Sequence, residues 1–224
     1  MQHSLFFKIS SFFFDREVET TSTLLNRELR VVLSNNRYQL NSGIANYSFG
    51  NLHTAFQRVF SHTNLKKIKI NSALILGFGA GSVASILRNE IKSDCKITGV
   101  EIDSKVIDLA KKYFNLNTLN NCRIVVDDAL NFVKNDSGKY DLIVVDLFSE
   151  IDVPSVFQLD SFLSCLHNRA ADSALVYFNF VIDNESQKRE FLAFEKRFQK
   201  EFPTSKTLTI MDSNKILLAH CVAG

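Results

Sequence analysis

From about residue 70 onward, short apolar runs alternate with stretches in which apolar residues recur every three or four positions. The runs 73–76, 96–100, 123–126, 142–145 and 174–180 are strand-length and lack regular polar alternation, so they predict strands buried on both faces. The segments 82–88, 104–114, 129–133, 156–166 and 185–201 carry the helical period and predict helices between them. Two further strands, 207–211 and 216–221, follow with no helix between, joined by a turn at Asp212-Ser213-Asn214. Strand–helix alternation of this kind predicts a parallel sheet covered on both faces, and the last two strands predict a terminal antiparallel hairpin.

The first part of the chain has a different texture. Short β-like runs at 17–22, 29–33 and 37–40 are separated by Asn35-Asn36, a hairpin-turn pair because Asn tolerates positive φ, and are followed by the turn Asn41-Ser42-Gly43. A helix is predicted over 52–60, with Leu52, Phe56, Val59 and Phe60 on one face. The extreme N-terminus is rich in Phe (Phe6, Phe7, Phe12, Phe13, Phe14), yet it has no basic leading region and Lys8 interrupts it. Asp15-Arg16-Glu17 follows, where a secretory signal would carry a small-residue cleavage site. It reads as a buried strand or packing arm. The expected organisation is therefore a small β-rich segment over 1–50 and an α/β domain over 51–224, with a mostly parallel seven-stranded sheet.

Composition narrows the function classes. A chain of 224 residues with 46% hydrophobic residues builds a full core, and its formal charge of +2 offers no bias toward nucleic acid or an anionic membrane. That balance conceals a gap: no Asp or Glu occurs between Glu28 and Glu90, while Arg30, Arg37, Arg58, Lys66, Lys67, Lys69 and Arg88 fall inside it. Cys95, Cys122, Cys165 and Cys221 form no CxxC pair and have no His at ligand spacing, so no metal is expected. They read as small apolar residues in a reducing compartment. No run is long enough for a membrane helix, and a cytoplasmic protein is expected.

Four strand ends carry candidate chemistry. Gly77-Phe78-Gly79-Ala80-Gly81-Ser82 closes the first apolar strand and opens a helix. Glycines there let a backbone turn tightly against a ligand, or serve only the turn itself. Ser82 stands where a dinucleotide fingerprint needs Gly or Ala, so the spacing fits an S-adenosylmethionine-type ligand better. Glu101 ends the second strand, placed to accept from both hydroxyls of a ribose; Asp103 behind it caps a helix or joins the site. Asp127-Asp128-Ala129 follows the third strand. One acid there suits an adenine amino group, with a small residue beside the ring, and capping competes for the other. Asp146 ends the fourth strand, at the edge where open α/β sheets bind ligands, and is placed to orient or deprotonate a nucleophile.

In this order the four strand ends resemble the Rossmann-like class I S-adenosylmethionine-dependent methyltransferase fold, and within it the spermidine synthase (polyamine aminopropyltransferase) family. Ile75, where methyltransferases often carry an acid, and the β-rich N-terminus with its helix carry the second likeness. The resemblance implies that Gly77, Gly79 and Gly81 line the nucleotide, that Glu101 holds the ribose, and that Asp128 meets the adenine with Ala129 beside it. Phe78, Ile102 and Asp127 complete the implied binding set. Asp146 would activate the acceptor, and Pro154 would follow the active-site loop. It further implies S-adenosylmethionine or its decarboxylated form as co-substrate, a small-molecule acceptor, no metal, and a homodimer.

Three positions depart from the family pattern. Ala80 replaces an Asp that binds the donor's amine end, Ser149 replaces a second Asp after the catalytic one, and 46–51 lacks an acidic pair. Glu150 and Asp152 lie close enough to substitute. These departures predict an acceptor site depleted of carboxylates, and hence methyl transfer to a neutral or anionic small molecule. The alternatives are aminopropyl transfer to a diamine and a non-catalytic nucleoside-binding or assembly module.

Overall fold

The computed structural model describes residues 4–43, 45–149, 152–211 and 213–221. A short helix, α1 (Leu5–Ser10), leads into a four-stranded antiparallel sheet: β1 (Arg16–Thr21), β2 (Leu29–Ser34), β3 (Arg37–Ser42) and β4 (Ala45–Ser48). Asn35 and Asn36 sit at φ of +50° and +58°, the paired positive values of a tight hairpin turn. Next come α2 (Asn51–His62), β5 (Ser72–Leu76), α3 (Ser82–Ser85), β6 (Lys96–Glu101), α4 (Ser104–Tyr113), β7 (Cys122–Val126), α5 (Ala129–Asn135) and β8 (Tyr140–Val145). The chain ends with α6 (Asp160–Arg169), β9 (Ala170–Val181), α7 (Glu185–Glu201), β10 (Lys206–Thr209) and β11 (Asn214–His220).

The second sheet has seven strands in the order β10-β11-β9-β8-β5-β6-β7. The strands β9, β8, β5, β6 and β7 run parallel, and β11 pairs antiparallel with both β9 and β10. The mostly parallel sheet with its terminal hairpin thus follows the apolar pattern of the chain. Alternate residues feed opposite faces. Ala73, Ile75, Leu175 and Tyr177 join one core with Phe56, Val59 and Phe60 of α2. Leu74, Leu76, Val176, Phe178 and Phe180 join another with Phe191, Phe194 and Phe198 of α7. In the first core the buried Tyr177 hydroxyl shares a 2.8 Å hydrogen bond with the Thr63 hydroxyl.

Three local expectations need correction. The Phe-rich N-terminus is not a buried strand or packing arm: it forms α1, and Phe6, Phe12, Phe13 and Phe14 are exposed. Ser4 and Ser11 cap that helix, and its rings join neither core. The helix expected over 156–166 is split, because Leu159 is extended (ψ 148°); a 3-10 turn (Ser155–Gln158) precedes α6. The strand β4 went unforeseen, since four residues beside a glycine carry too little pattern.

Candidate functional site

The sheet changes direction between β5 and β8. These strands are neighbours, but the chain leaves β5 toward β6 on its other side, so a crevice opens beyond their carboxyl ends. Gly77 makes their close approach possible. It lies at φ +81°, and a Cβ there would sit 2.0 Å from the Asp146 carbonyl oxygen. The Gly77 and Phe78 N–H groups donate to the Val100 carbonyl (3.0 and 2.9 Å), fastening the loop to β6.

At the end of β6, Glu101 is almost wholly buried and held through both oxygens. Gly79 N–H donates to Oε2 (2.9 Å) and Asp103 N–H to Oε1 (3.1 Å). Asp103 caps α4 through Lys105 N–H and also accepts from the Thr23 hydroxyl (2.6 Å) and Asn26 Nδ2 (2.7 Å). It thereby ties the β1–β2 connection to the rim of the crevice. After β7, Asp128 is the helix cap, accepting from Asn131 N–H (2.9 Å), while Asp127 accepts from Asn131 Nδ2 through both oxygens (2.9 and 3.1 Å).

Asp146 terminates the β8 side. Its Oδ1 accepts from Asn179 Nδ2 (2.9 Å), and Asn179 Oδ1 accepts from Asn214 Nδ2 (3.1 Å). Burial pushes the Asp146 carboxyl up to about 7; the Asn179 bond pulls the other way, and the charge of Glu101 adds to the rise.

These groups surround one cavity of about 540 Å³. Among the predicted site residues, Gly77, Gly79, Glu101, Ile102, Asp127, Asp128, Ala129 and Asp146 line it, as do Ser149 and Pro154. Phe78 and Gly81 do not. The Phe78 ring is turned into the core, where it fills the place of a side chain at Gly99; a Cβ there would fall 2.0 Å from its Cδ2. Gly81 (φ +91°) serves the turn into α3. Ala80 is buried away from the cavity, with its N–H donated to Ser48 Oγ (3.0 Å).

The lining adds one acid, Asp183, to the four that the sequence already placed at the site, so the expected depletion at the acceptor end is offset there and not reversed. Five carboxylates border the cavity (Glu101, Asp127, Asp128, Asp146 and Asp183), and its described lining residues include no Lys, Arg or His. The acid added at the far end is Asp183, not Asp152. Asp152 Oδ1 accepts from Gln187 Nε2 (2.6 Å), and Gln187 Oε1 accepts from Asp183 N–H (2.7 Å), so Asp152 holds its loop to the start of α7. Glu150 lies outside the described residues. Leu147, Phe148, Val156, Phe157, Val181 and Met211 supply apolar surface. Asn179, Asp183 and Asn214 belong to no motif. The one available signal was Asn179 itself, a polar residue inside the apolar run 174–180.

Comparison with known proteins adds to this geometry. The family model described as spermine/spermidine synthase domain matches residues 53–209. A probable polyamine aminopropyl transferase of Bifidobacterium longum is 31% identical over 141 residues, covering 62% of this chain and 30% of the relative. An eEF1A lysine and N-terminal methyltransferase homolog of Drosophila pseudoobscura is 29% identical over 150 residues, covering 62% of this chain and 22% of the relative. This chain therefore spans less than a third of the length of each. The crystal structure of spermidine synthase from Thermotoga maritima superposes with a TM-score of 0.68 at 16% identity, covering 92% of this chain and 72% of that one, which is a likeness of fold.

Proposed function

We propose that this chain, which belongs to the spermine/spermidine synthase domain family, transfers an aminopropyl group from decarboxylated S-adenosylmethionine to an amine. The observation that carries this reading is the cavity wall beyond the nucleoside acids, where Asp146 and Asp183 stand and no described lining residue is basic. A sulfonium and an ammonium ion both lose water on entering, and carboxylates replace that hydration. The carboxylate of ordinary S-adenosylmethionine, or of an anionic acceptor, would meet charge of its own sign. The lining therefore shifts the reading from methyl transfer to a neutral or anionic molecule toward a cationic donor and an amine.

The residues present fit such a donor. Glu101 would accept from the ribose hydroxyls, Asp127 or Asp128 from the adenine amino group, and Ile102 and Ala129 would border the ring. When bound, the sulfonium supplies an electrophilic carbon whose bond to sulfur breaks as the bond to nitrogen forms. Asp146 holds the acceptor nitrogen at the end of β8 and takes the proton that nitrogen must lose. A carboxyl that titrates near 7 is matched to that task.

A second reading, methyl transfer from S-adenosylmethionine, is favoured by Ala80, which leaves the glycine loop without an acid toward the donor's amine end. The two separate by the mass of the product. Purified protein is incubated with each donor and a panel of linear amines and followed by mass spectrometry. The first reading expects an aminopropylated amine and methylthioadenosine from the decarboxylated donor. A methylated amine formed only from S-adenosylmethionine would overturn it.

A further inference from the structure

We propose that Asn179, itself held by Asn214, is a positioning residue that fixes which oxygen of Asp146 faces the acceptor and keeps that carboxyl able to ionise. The inference rests on the role given to Asp146 above, but its geometry stands apart from the identity of the substrates.

Asn179 is wholly buried, near the carboxyl end of β9. In the antiparallel register Asn214 lies opposite Val181, and Ile216 lies opposite Asn179. Asn214 is thus a diagonal neighbour of Asn179 on the same sheet face, within side-chain reach. Both ends of the Asn179 amide are used: Nδ2 donates to Asp146 Oδ1 and Oδ1 accepts from Asn214 Nδ2. Turning the amide over would set its oxygen against a carboxylate and its NH₂ against another NH₂. The carboxylate, which only accepts, thus sets the sense of the amide, and Asn214 holds it there by occupying its oxygen. Among the described residues no other group donates to the Asp146 side chain, so Oδ2 is the oxygen left for an acceptor N–H.

The surroundings make this neutral donor count. Glu101, at the end of β6, Asp127 and Asp128, after β7, and Asp183, after β9, line the same cavity. No described lining residue carries a cation to balance them. A carboxyl among carboxylates ionises only as far as hydrogen-bond donors favour its charged form, and Asn179 supplies that donor. Asn214 touches Asp146 only through Asn179, so its effect should vanish once Asn179 is gone.

The test is the titration of the Asp146 carboxyl by carbon-13 NMR, its signal assigned by loss in Asp146→Asn. Asn179→Leu should move the midpoint upward by about one pH unit or more, the worth of one charged hydrogen bond. Asn214→Leu should move it less, in the same direction. The double variant should match Asn179→Leu alone. An unchanged midpoint in Asn179→Leu overturns the proposal, as does an Asn214→Leu shift of equal size with and without Asn179. If Asn179→Leu fails to fold, the partly exposed Asn214 carries the test alone, and an unmoved midpoint in Asn214→Leu is the refuting result. A protein inert toward every donor but showing the coupled shifts loses the functional reading and keeps this one; turnover without the shifts does the reverse.

Discussion

Asp146 bears two opposed demands. It ends a buried strand, where desolvation resists charge, and in the proposed reaction it takes a proton from an amine, which requires charge. The sign of its titration follows. Its folded value lies near 7, above the ordinary value of 3.8, so the folded chain holds this proton more tightly than the unfolded chain. Asp146 therefore costs nothing in strong acid and costs progressively more stability as pH rises from about 4 to 7, after which the cost is constant. Replacing it by Asn should raise the melting temperature at pH 8, by up to a few kcal/mol in stability, with no gain at pH 4. The same variant should abolish transfer, whereas wild-type kcat/KM should climb as pH rises through about 7. Thermal melts at both pH values check the first part; equal gains at pH 4 and 8 would contradict it. Asp146 itself was legible in the sequence because a strand-end acid stands out after an apolar run. Its hydrogen-bond chain was not: Asn179 and Asn214 come from remote segments and are brought together by strand pairing.

At the scale of elements, the helix α7 shows what sequence pattern does well. Its Phe191, Phe194 and Phe198 recur at helical spacing, and all three are buried against Phe178 and Phe180 of β9. Ring centroids of Phe178 and Phe194 lie 4.7 Å apart. Phe194→Ala removes a ring from the centre of this layer and should cost about 3–5 kcal/mol, read by denaturant unfolding, without changing donor affinity of the folded fraction. A loss below about 1 kcal/mol would mean the layer repacks freely. The boundaries of α7 agree with the periodic pattern because a long stripe leaves little latitude. Short elements failed for the opposite reason. In α1 the same residue type, Phe, lies outside every core, since composition records apolarity but not whether anything stands opposite. Phe78 misled in another way: its place in a glycine loop suggested a ligand contact, while the missing side chain at Gly99 draws its ring inward.

Across the whole molecule, two sheets of unlike origin close one cavity. The four-stranded sheet contributes Leu25 and Asn26 from its β1–β2 connection, and Asp103 holds that connection to the start of α4. A second tie joins Glu19 of β1 to Tyr113 of α4, whose hydroxyl donates to it at 2.6 Å. The carboxylate gap between Glu28 and Glu90 falls on this sheet, on α2 and on the glycine loop, while the acids of the cavity come from the ends of β6, β7, β8 and β9. Linear charge distribution missed one of these acids, Asp183, because folding brings it from a segment remote from the others. The central claim, that this wall selects cations, is tested most directly by calorimetric titration of the purified chain with S-adenosylmethionine and with its decarboxylated form under the same conditions. The cavity predicts tighter binding of the decarboxylated donor by roughly tenfold or more, the worth of one unfavourable charged contact. Equal affinity, or preference for the donor that keeps its carboxylate, would contradict it.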